Sequence, residues 1–368
     1  MKQDVFEEVP IIDVDAYLNK IEGKWELECQ KVADSLHNFG ILIFKDPRAK
    51  ESDNKAYLDM MEKYFNQTSK DFYEGRTLKD ARPELFYQTG VTPELKEKAR
   101  DHVKLVNSLT GENAPQTRFP PEWDAKWRFF WQFGPRESGR EDPFPKVIPD
   151  DFPDWEEKMN TWGGTLMDAS FVAAEMAAIG MGLDKDTFTS RMKLGPHLLG
   201  PTGSDLKKWD VGTTFAGFHY DLNFLTIHGK SRYPGLYIWL RDWRKAAVKL
   251  PTGCLLMQAG AMFEHLTGGY VLSGYHEVIY TEATKAALEK VEEEIAEGKD
   301  RITWRVSSTL FAHLRGDVDM TPLEQLADNV DPEQRMSYKK MTAHEKLLEE
   351  LQAISLMKDA MTSQDDTA

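Results

Sequence analysis

Residues 218–226 read FHYDLNFLT, and this stretch decides what the rest of the chain builds. His219 and Asp221 are two residues apart, so on an extended strand their side chains point to the same side. A further imidazole is available from His276, in the largely apolar segment GYHEVIY at residues 274–280. Two imidazoles and one carboxylate on one face hold a metal and leave the opposite coordination positions open, as in non-haem Fe(II) sites. The pattern therefore predicts a metal site formed by His219, Asp221 and His276.

A further signal lies in the segment WRVS at residues 304–307. Arg305 and Ser307 share one face of a predicted strand, because residues 302–311 are rich in β-branched and aromatic side chains. A guanidinium fork beside a hydroxyl suits a carboxylate. A His-x-Asp pair alone is most often a coincidence or a structural hydrogen bond. Its combination with a distal histidine and an Arg-x-Ser segment is what indicates a functional site.

This order of motifs resembles the Fe(II)/2-oxoglutarate-dependent dioxygenases of the isopenicillin N synthase-like group. The resemblance implies that His219, Asp221 and His276 are the metal ligands. It also implies that Arg305 and Ser307 hold the far carboxylate of 2-oxoglutarate. The implied cofactors are Fe(II), 2-oxoglutarate as cosubstrate, and O₂.

The resemblance extends beyond these motifs. The pair Leu225-Thr226 matches the hydrophobic-Thr step that follows His-x-Asp in the group, and LTGGY at residues 266–270 is similar to its glycine turn. The strand–helix–strand order predicted over residues 9–44 is also similar. The implied reaction is oxidation of a C–H bond of a small metabolite by hydroxylation, desaturation or oxidative ring closure, with release of succinate and CO₂.

The implied fold is α+β with a mainly β core, a double-stranded β-helix (jelly roll) flanked by N- and C-terminal helices. We expect an N-terminal dioxygenase-type region at 1–195, a catalytic core at 196–320 and C-terminal helices with a tail at 321–368, all in one compact catalytic unit. The core strands are predicted at 213–228, 235–241, 254–259, 270–280 and 302–313. Long helices are predicted at 51–73 and 155–182, and a capping box at Thr342 and Glu345 opens a C-terminal helix.

Two departures from the group stand out. Arg305 follows His276 at a greater distance than usual, and the added length has the pattern of a helix at about 284–297, with Thr284 as N-cap. Its glutamate-rich face favours a solvated surface over an active-site lid. Residues 196–201 lack the accessory 2-oxoglutarate contacts of the group. His197 could replace them, although a structural histidine is the favoured interpretation.

Other histidines and acids compete with the predicted ligands or could support them. His265 competes with His276 as the third ligand, but His276 lies within a strand, where a rigid ligand is expected. His228 is assigned to the strand face opposite His219 and to a structural role. Glu264 and Glu277 are candidate hydrogen-bond acceptors for the ligand imidazoles.

Composition narrows the function further. The 368 residues carry a formal net charge of −15 at pH 7, which argues against nucleic acid or an anionic membrane as a partner and leaves a small-molecule substrate. The two cysteines, Cys29 and Cys254, fit a reduced intracellular protein, and no segment approaches a membrane span, so a cytoplasmic location is expected.

Two alternatives and one ambiguity remain at this level. Some members of the group oxidise substrate without 2-oxoglutarate, so an isopenicillin N synthase-type oxidase is the nearest enzymatic alternative. A catalytically inactive jelly-roll binding protein is the alternative from another class. The aromatic cluster at residues 123–131 is assigned to the core, with lining of the substrate cavity as the second interpretation.

Overall fold

The computed structural model describes residues 5–135 and 144–353. The helices in these ranges are α1 (Val14–Leu18), α2 (Trp25–Phe39), α3 (Glu51–Tyr73), α4 (Val103–Ser108), α5 (Trp155–Gly180), α6 (Thr189–Met192), α7 (Ala261–Leu266), α8 (Glu282–Ala296), α9 (Pro332–Met336) and α10 (Ala343–Ala353). The end of the predicted C-terminal tail, from residue 354 onward, lies outside the described residues. None of the described helices is both long and apolar enough to cross a membrane.

The strands of the described chain are β1 (Ile11–Asp13), β2 (Ile41–Lys45), β3 (Gly90–Thr92), β4 (Trp127–Gln132), β5 (Leu198–Leu199), β6 (Thr202–Asp205), β7 (Thr214–His219), β8 (Leu225–His228), β9 (Leu236–Trp239), β10 (Lys245–Ala247), β11 (Cys254–Ala259), β12 (Tyr275–Ile279), β13 (Trp304–Val306) and β14 (Thr309–Ala312). A ten-stranded sheet has the order β1-β2-β11-β8-β14-β5-β4-β6-β13, with β3 paired to β4. A four-stranded sheet has the order β10-β9-β12-β7. All pairs are antiparallel except β1–β2.

A cavity lies between the two sheets, since residues of both sheets line it. The mainly antiparallel sheets with flanking helices confirm the predicted jelly-roll architecture. Within the described residues the two sheets stay separate and do not pair into a closed barrel.

Strand β4 separates the core from the cavity. Trp127, Phe129 and Trp131 point to one face and are fully buried, whereas Arg128 and Phe130 point to the other face and line the cavity. On the core side, aromatic rings of α3 and α5 pack against Phe129, with centroids 5.4 and 4.7 Å away. Each large apolar side chain buried here contributes roughly 1.5–3 kcal/mol. The predicted aromatic cluster is therefore divided: its part on β4 serves both core and cavity, whereas Trp123, 52% exposed, lies outside the strand and lines the cavity.

The helices and several strands were predicted closely. Helix α3 has the predicted bounds, strand β11 matches 254–259, and the Thr342–Glu345 capping box is present. The N-cap prediction for the inserted helix was wrong. Thr281 caps α8, and Thr284 is its reciprocal partner inside the first turn, at 3.1 Å in both directions.

The differences among the strands have local causes. The predicted strand 270–280 begins only at Tyr275, because Gly268 and Gly269 adopt positive φ angles of 62° and 89° in the preceding turn. The predicted strand 213–228 is divided into β7 and β8. Strand β6 was missed because its sequence TGSD has no apolar alternation. Its Gly203 lies against the Phe65 ring, where an added Cβ would approach to 2.4 Å.

Candidate metal and anion site

Neighbouring strands of the smaller sheet bring the predicted metal ligands together. His219 at the end of β7 is directly opposite His276 on β12, and their ring centroids are 4.2 Å apart. Asp221 follows immediately after β7. Its carboxylate oxygens lie 3.6 Å from His219 Nε2 and 3.8 Å from His276 Nε2. One ligand atom from each residue lies within 4.8 Å of the others, an arrangement that could hold a metal ion.

Backbone carbonyls orient both imidazoles. Nδ1 of His219 lies 2.5 Å from the oxygen of Gly217, and Nδ1 of His276 lies 3.4 Å from the oxygen of Gly274. A proton on Nδ1 leaves Nε2 of each ring with its lone pair directed towards the carboxylate. The geometry thus favours the tautomer that a metal requires.

The acids predicted to orient the imidazoles have other partners, so that prediction was wrong. Glu277 accepts hydrogen bonds from the backbone of Gln116 and Thr117 and forms an ion pair with Lys245 at 2.7 Å. Glu264 accepts from Ser273, at 2.6 Å from its hydroxyl. Glu277 points away from His276 because adjacent residues of a strand face opposite sides, and Glu264 lies on helix α7.

Electrostatics match the metal-ligand geometry. Burial, together with the positive charge of His219, lowers the pKa of His276 to about 3, so this imidazole is neutral at neutral pH. Burial alone would raise the pKa of Asp221, but the two imidazoles and the Thr226 hydroxyl, 2.6 Å away, outweigh it and lower that pKa. Burial alone would lower the pKa of His219, yet Asp221 outweighs it and the net shift is upward. The carboxylate is therefore held ionised beside two rings.

The competing histidines lie elsewhere. His265 is on helix α7, and its Nε2 lies 2.7 Å from the oxygen of Lys339. His197 is buried, with Nε2 at 3.0 Å from the oxygen of Met192 and Nδ1 accepting from the backbone of His313 at 3.1 Å. His197 is structural, in agreement with the favoured interpretation.

Arg305 reaches the same cavity from the larger sheet. It lies on β13 and is 5% exposed. Its Nε donates to the oxygen of Pro234 at 3.0 Å, and no carboxylate of the described chain pairs with its guanidinium. Burial lowers the pKa of Arg305 to about 10, which leaves it charged at neutral pH. A buried cation without an anion is costly.

Ser307 lines the cavity together with Arg305, as predicted. Its Oγ accepts from the backbone of Thr202 at 3.0 Å and lies 2.9 Å from the Thr202 hydroxyl. These contacts fix the position of the Ser307 hydroxyl on the cavity wall. The oxygen can still donate its own hydrogen to a bound anion.

His228 also faces the cavity, so its assignment to the opposite face was wrong. Its ring centroid lies 5.8 Å from that of His276, and its Nδ1 lies 3.2 Å from the Thr309 hydroxyl. Burial lowers the pKa of His228 to about 4. The alternation of side chains along β7 does not predict which way His228 points on β8, because the bend at residues 220–224 separates the two strands.

The cavity measures about 540 Å³ and contains a second charged cluster that sequence reasoning missed. Glu97 is ion-paired with Arg128 and lies 3.5 Å from Lys126, which in turn contacts Asp124 at 2.7 Å. The Arg128 guanidinium lies 3.6 Å above the Phe130 ring. No local sequence motif predicts this cluster. The sequence shows only that Lys126 and Arg128 flank Trp127 at the start of β4.

Helix α10 contributes two side chains to the lining of the cavity. Its Leu347 and Glu350 are lining residues, and Glu350 forms an ion pair with Arg100. Arg100 also donates to the hydroxyl of Tyr220 at 2.9 Å, and Tyr220 separates the two metal-ligand candidates His219 and Asp221. The C-terminal helix is thus tied to the segment that carries the site.

Comparisons with known proteins agree with this architecture. No protein-family model matches the chain, and no curated protein matches its sequence. Among solved structures, a 2OG-Fe(II) oxygenase family protein from Caulobacter crescentus has a TM-score of 0.69 at 18% identity, covering 96% of this chain and 100% of that one. A full-length Neurospora crassa protein in complex with alpha-KG and thymine has a TM-score of 0.65 at 17% identity, covering 94% and 96%.

JOX2 in complex with 2OG, Fe and JA has a TM-score of 0.56 at 15% identity, covering 92% of this chain and 83% of that one. At such low identities a structural likeness speaks for the fold alone. The large, mainly antiparallel sheets with flanking helices are what the chain has in common with these structures. The chain therefore has the fold of the 2OG-Fe(II) oxygenases.

Proposed function

We propose that this protein is an Fe(II)- and 2-oxoglutarate-dependent oxygenase that oxidises a C–H bond of a small metabolite, releasing succinate and CO₂. The observation that carries the proposal is Arg305, a buried guanidinium without a carboxylate partner in the described chain, in the same cavity as a two-histidine-one-carboxylate cluster. A cation site and an anion site in one cavity fit a ligand that chelates a metal at one end and carries a carboxylate at the other.

The donor set fits ferrous iron. Two imidazoles and one carboxylate, close together on one side, leave several coordination positions free for other ligands. His276 is neutral at neutral pH and Asp221 is ionised, so neither has to lose a proton when the metal binds. Thr226 holds the Asp221 carboxylate in place through its hydroxyl, which limits the reorganisation on binding.

The opposite wall fits a dicarboxylate. The planar guanidinium of Arg305 can form charge-assisted hydrogen bonds with a carboxylate, and Ser307 adds a hydroxyl from the same wall. An anion at this point would offset the cost of burying Arg305. The Neurospora crassa structure named above contains alpha-KG, and the JOX2 structure contains 2OG and Fe, which supports this ligand class.

The roles of the residues follow from their positions. His219, Asp221 and His276 would hold the iron, while Arg305 and Ser307 would orient the cosubstrate and leave the rest of the cavity for the substrate. Iron with 2-oxoglutarate and O₂ supplies the oxidising power for an unactivated C–H bond. The buried aromatic and charged walls exclude bulk water from that oxidation.

An anaerobic titration tests the proposal. The purified protein is loaded with Fe(II) and titrated with 2-oxoglutarate while the visible metal-to-ligand charge-transfer band is followed. We expect a saturable band, and a much weaker affinity for 2-oxobutyrate, which keeps the chelating end but lacks the far carboxylate.

Iron binding without a band would instead favour the oxidase that does not use 2-oxoglutarate. Failure to bind either iron or 2-oxoglutarate would favour the inactive binding protein. Equal affinity for the two oxo acids would contradict the role of Arg305.

A further inference from the structure

His228 occupies a central position on the cavity wall. Its strand, β8, lies inside the larger sheet, where His228 pairs with Leu256 on one side and Thr309 on the other. His228 shares the cavity wall with Arg305 and with His276, whose ring centroid lies 5.8 Å from its own.

The imidazole has an unused hydrogen-bonding atom. His228 is 9% exposed, and within the described residues its Nε2 has no hydrogen-bond partner. The Gln258 side chain, 1% exposed, lies within interaction range of the His228 ring, but neither of its amide atoms completes a hydrogen bond of good geometry within the same residues. Buried polar atoms are nearly always paired in folded proteins. Because His228 lines the cavity, a ligand there can complete the pairing of its Nε2.

The neighbouring hydroxyls allow a neutral His228 to act as a donor. The Thr309 hydroxyl lies 3.2 Å from His228 Nδ1 and 3.3 Å from Ser307 Oγ, so its single hydrogen can serve either atom. When that hydrogen points to Nδ1, the ring proton resides on Nε2. Nε2 and the Ser307 hydroxyl are then both free to donate to one anion.

Residues 196–201 contribute no side-chain hydrogen-bond donor to the cavity lining of the described chain. The segment that lacks the family's accessory contacts places Leu198 and Gly200 on the wall, and neither carries a polar side-chain atom. Gly200 leaves room only for the Phe311 ring, because an added Cβ would approach that ring to 2.7 Å. The lining has other polar side chains, including Tyr233 with its unpaired hydroxyl, but His228 is the one that Thr309 links to Ser307.

We infer that His228 binds the far carboxylate of the cosubstrate through Nε2, as a partner of Arg305 and Ser307. This inference rests on the proposed function and adds a positioning residue to it. His228 replaces the hydrogen-bond donors that residues 196–201 do not supply. Thr309 links His228 to Ser307, so the three side chains form one anion-binding wall.

The test is an anaerobic titration of the Fe(II)-loaded protein with two oxo acids. For His228→Leu we expect about a tenfold loss of 2-oxoglutarate affinity, the effect of one hydrogen bond to a charged group. His228→Gln retains a donor and should recover part of that loss. Affinity for 2-oxobutyrate should be the same in wild type and both variants, because that ligand has no far carboxylate.

His265→Leu is the matched control, since it removes a buried imidazole that lies outside the cavity lining. It should leave both affinities unchanged. Unchanged 2-oxoglutarate affinity in His228→Leu would overturn the inference, as would an equal loss for both oxo acids, which would indicate general damage to the site. Absence of a band in the wild type would instead overturn the proposed function itself.

Discussion

Two arginines, Arg128 on β4 and Arg305 on β13, reach the same cavity from the larger sheet and have opposite surroundings. Arg128 is ion-paired with Glu97 and stacked on Phe130. Arg305 has a backbone carbonyl as its partner and no carboxylate within the described residues. Burial lowers the pKa of both guanidiniums, and Glu97 opposes that shift for Arg128. Both remain charged, so the difference between them lies in their partners.

The comparison distinguishes Arg128, which has a carboxylate partner within the protein, from Arg305, which has none among the described residues. A buried ion pair is balanced within the protein, and a further anion beside it gains little net charge attraction. A buried guanidinium without an anion attracts any carboxylate that fits. The residue type and the sheet are the same in both cases. The surroundings differ because Glu97 lies beside Arg128. No pattern in the sequence near either arginine predicts this proximity.

The largest expected effect concerns the proposed metal site. The dicarboxylate proposed to bind Arg305 would also chelate the iron there. His219→Ala, Asp221→Ala and His276→Ala should each reduce Fe(II) affinity by more than about a hundredfold, since even residues that only orient ligands account for roughly 10–100-fold. The charge-transfer band with 2-oxoglutarate should disappear in all three. Equilibrium dialysis with Fe(II) measures the first effect. His265→Ala should bind iron normally, and a loss of iron in this variant but not in His276→Ala would reverse the ligand assignment.

The next effect separates the two arginines directly. Arg305→Ala should weaken 2-oxoglutarate binding about tenfold to a hundredfold, because a hydrogen bond to a charged group contributes roughly 1.5–3 kcal/mol. Arg305→Lys should also lose affinity, since an ammonium has no planar fork. Fe(II) affinity should stay unchanged in both. Titration curves that coincide with wild type would place the carboxylate site elsewhere in the cavity.

The proximity of His219 to Asp221 and the position of Arg305 on the cavity wall could be predicted from residue spacing, whereas the metal-binding and anion-binding roles of these residues stay predictions. His219 and Asp221 are two residues apart, and cross-strand pairing with His276 adds only the register. The same rule failed for His228, because the turn after β7 resets the alternation. Side-chain alternation still placed Asp221 beside His219 just past the end of β7, but it did not extend across the bend at residues 220–224 to His228.

Other parts of the site depend on contacts between segments far apart in the chain. Glu97 forms an ion pair with Arg128, and Glu350 forms one with Arg100, another residue of the cavity lining. Strand β6 exists because Gly203 accommodates the Phe65 ring, although its own sequence lacks strand character. Such features follow from tertiary packing, which overrides local propensity. The resemblance of the motifs to a known family therefore predicted the fold class, and residue spacing predicted that His219, Asp221 and His276 would meet, whereas the second charged cluster was not predicted.

A smaller effect is expected for the paired arginine. Arg128→Gln should change 2-oxoglutarate affinity by less than about threefold, under roughly 1 kcal/mol at 1.4 kcal/mol per decade. It should instead lower the free energy of unfolding by roughly 1–3 kcal/mol, because Glu97 loses a buried partner. Adding Glu97→Gln should cost less than the sum of the single changes. Denaturant unfolding of the four proteins measures this cycle. A tenfold loss of cosubstrate affinity in Arg128→Gln would show that both arginines bind the anion.

The smallest effect is expected for helix α8, inserted between His276 and Arg305. None of its residues is among those that line the cavity of the described chain, and Leu288 and Val291 bury its narrow apolar side. Replacing residues 286–297 with a short glycine-containing turn should therefore leave both iron and 2-oxoglutarate affinity unchanged, while stability falls by roughly 1.5–3 kcal/mol for each lost apolar side chain.

The first turn of α8, unlike the rest of the helix, is linked to Arg305 through a shared hydrogen-bond acceptor. Thr284 donates to the oxygen of Pro234 at 3.3 Å, the same atom that accepts from Arg305 Nε. Arg128 has no such link to α8 among the described contacts. Thr284→Val should therefore reduce 2-oxoglutarate affinity by about two- to threefold, within the roughly 0.5–1.5 kcal/mol of a neutral hydrogen bond, and leave iron affinity unchanged. Anaerobic titration with 2-oxoglutarate measures cosubstrate affinity in Thr284→Val and in the variant with the shortened helix. A larger loss in the shortened helix, with Thr284 retained, would mean that α8 acts on the site through its body and not through the carbonyl that positions Arg305.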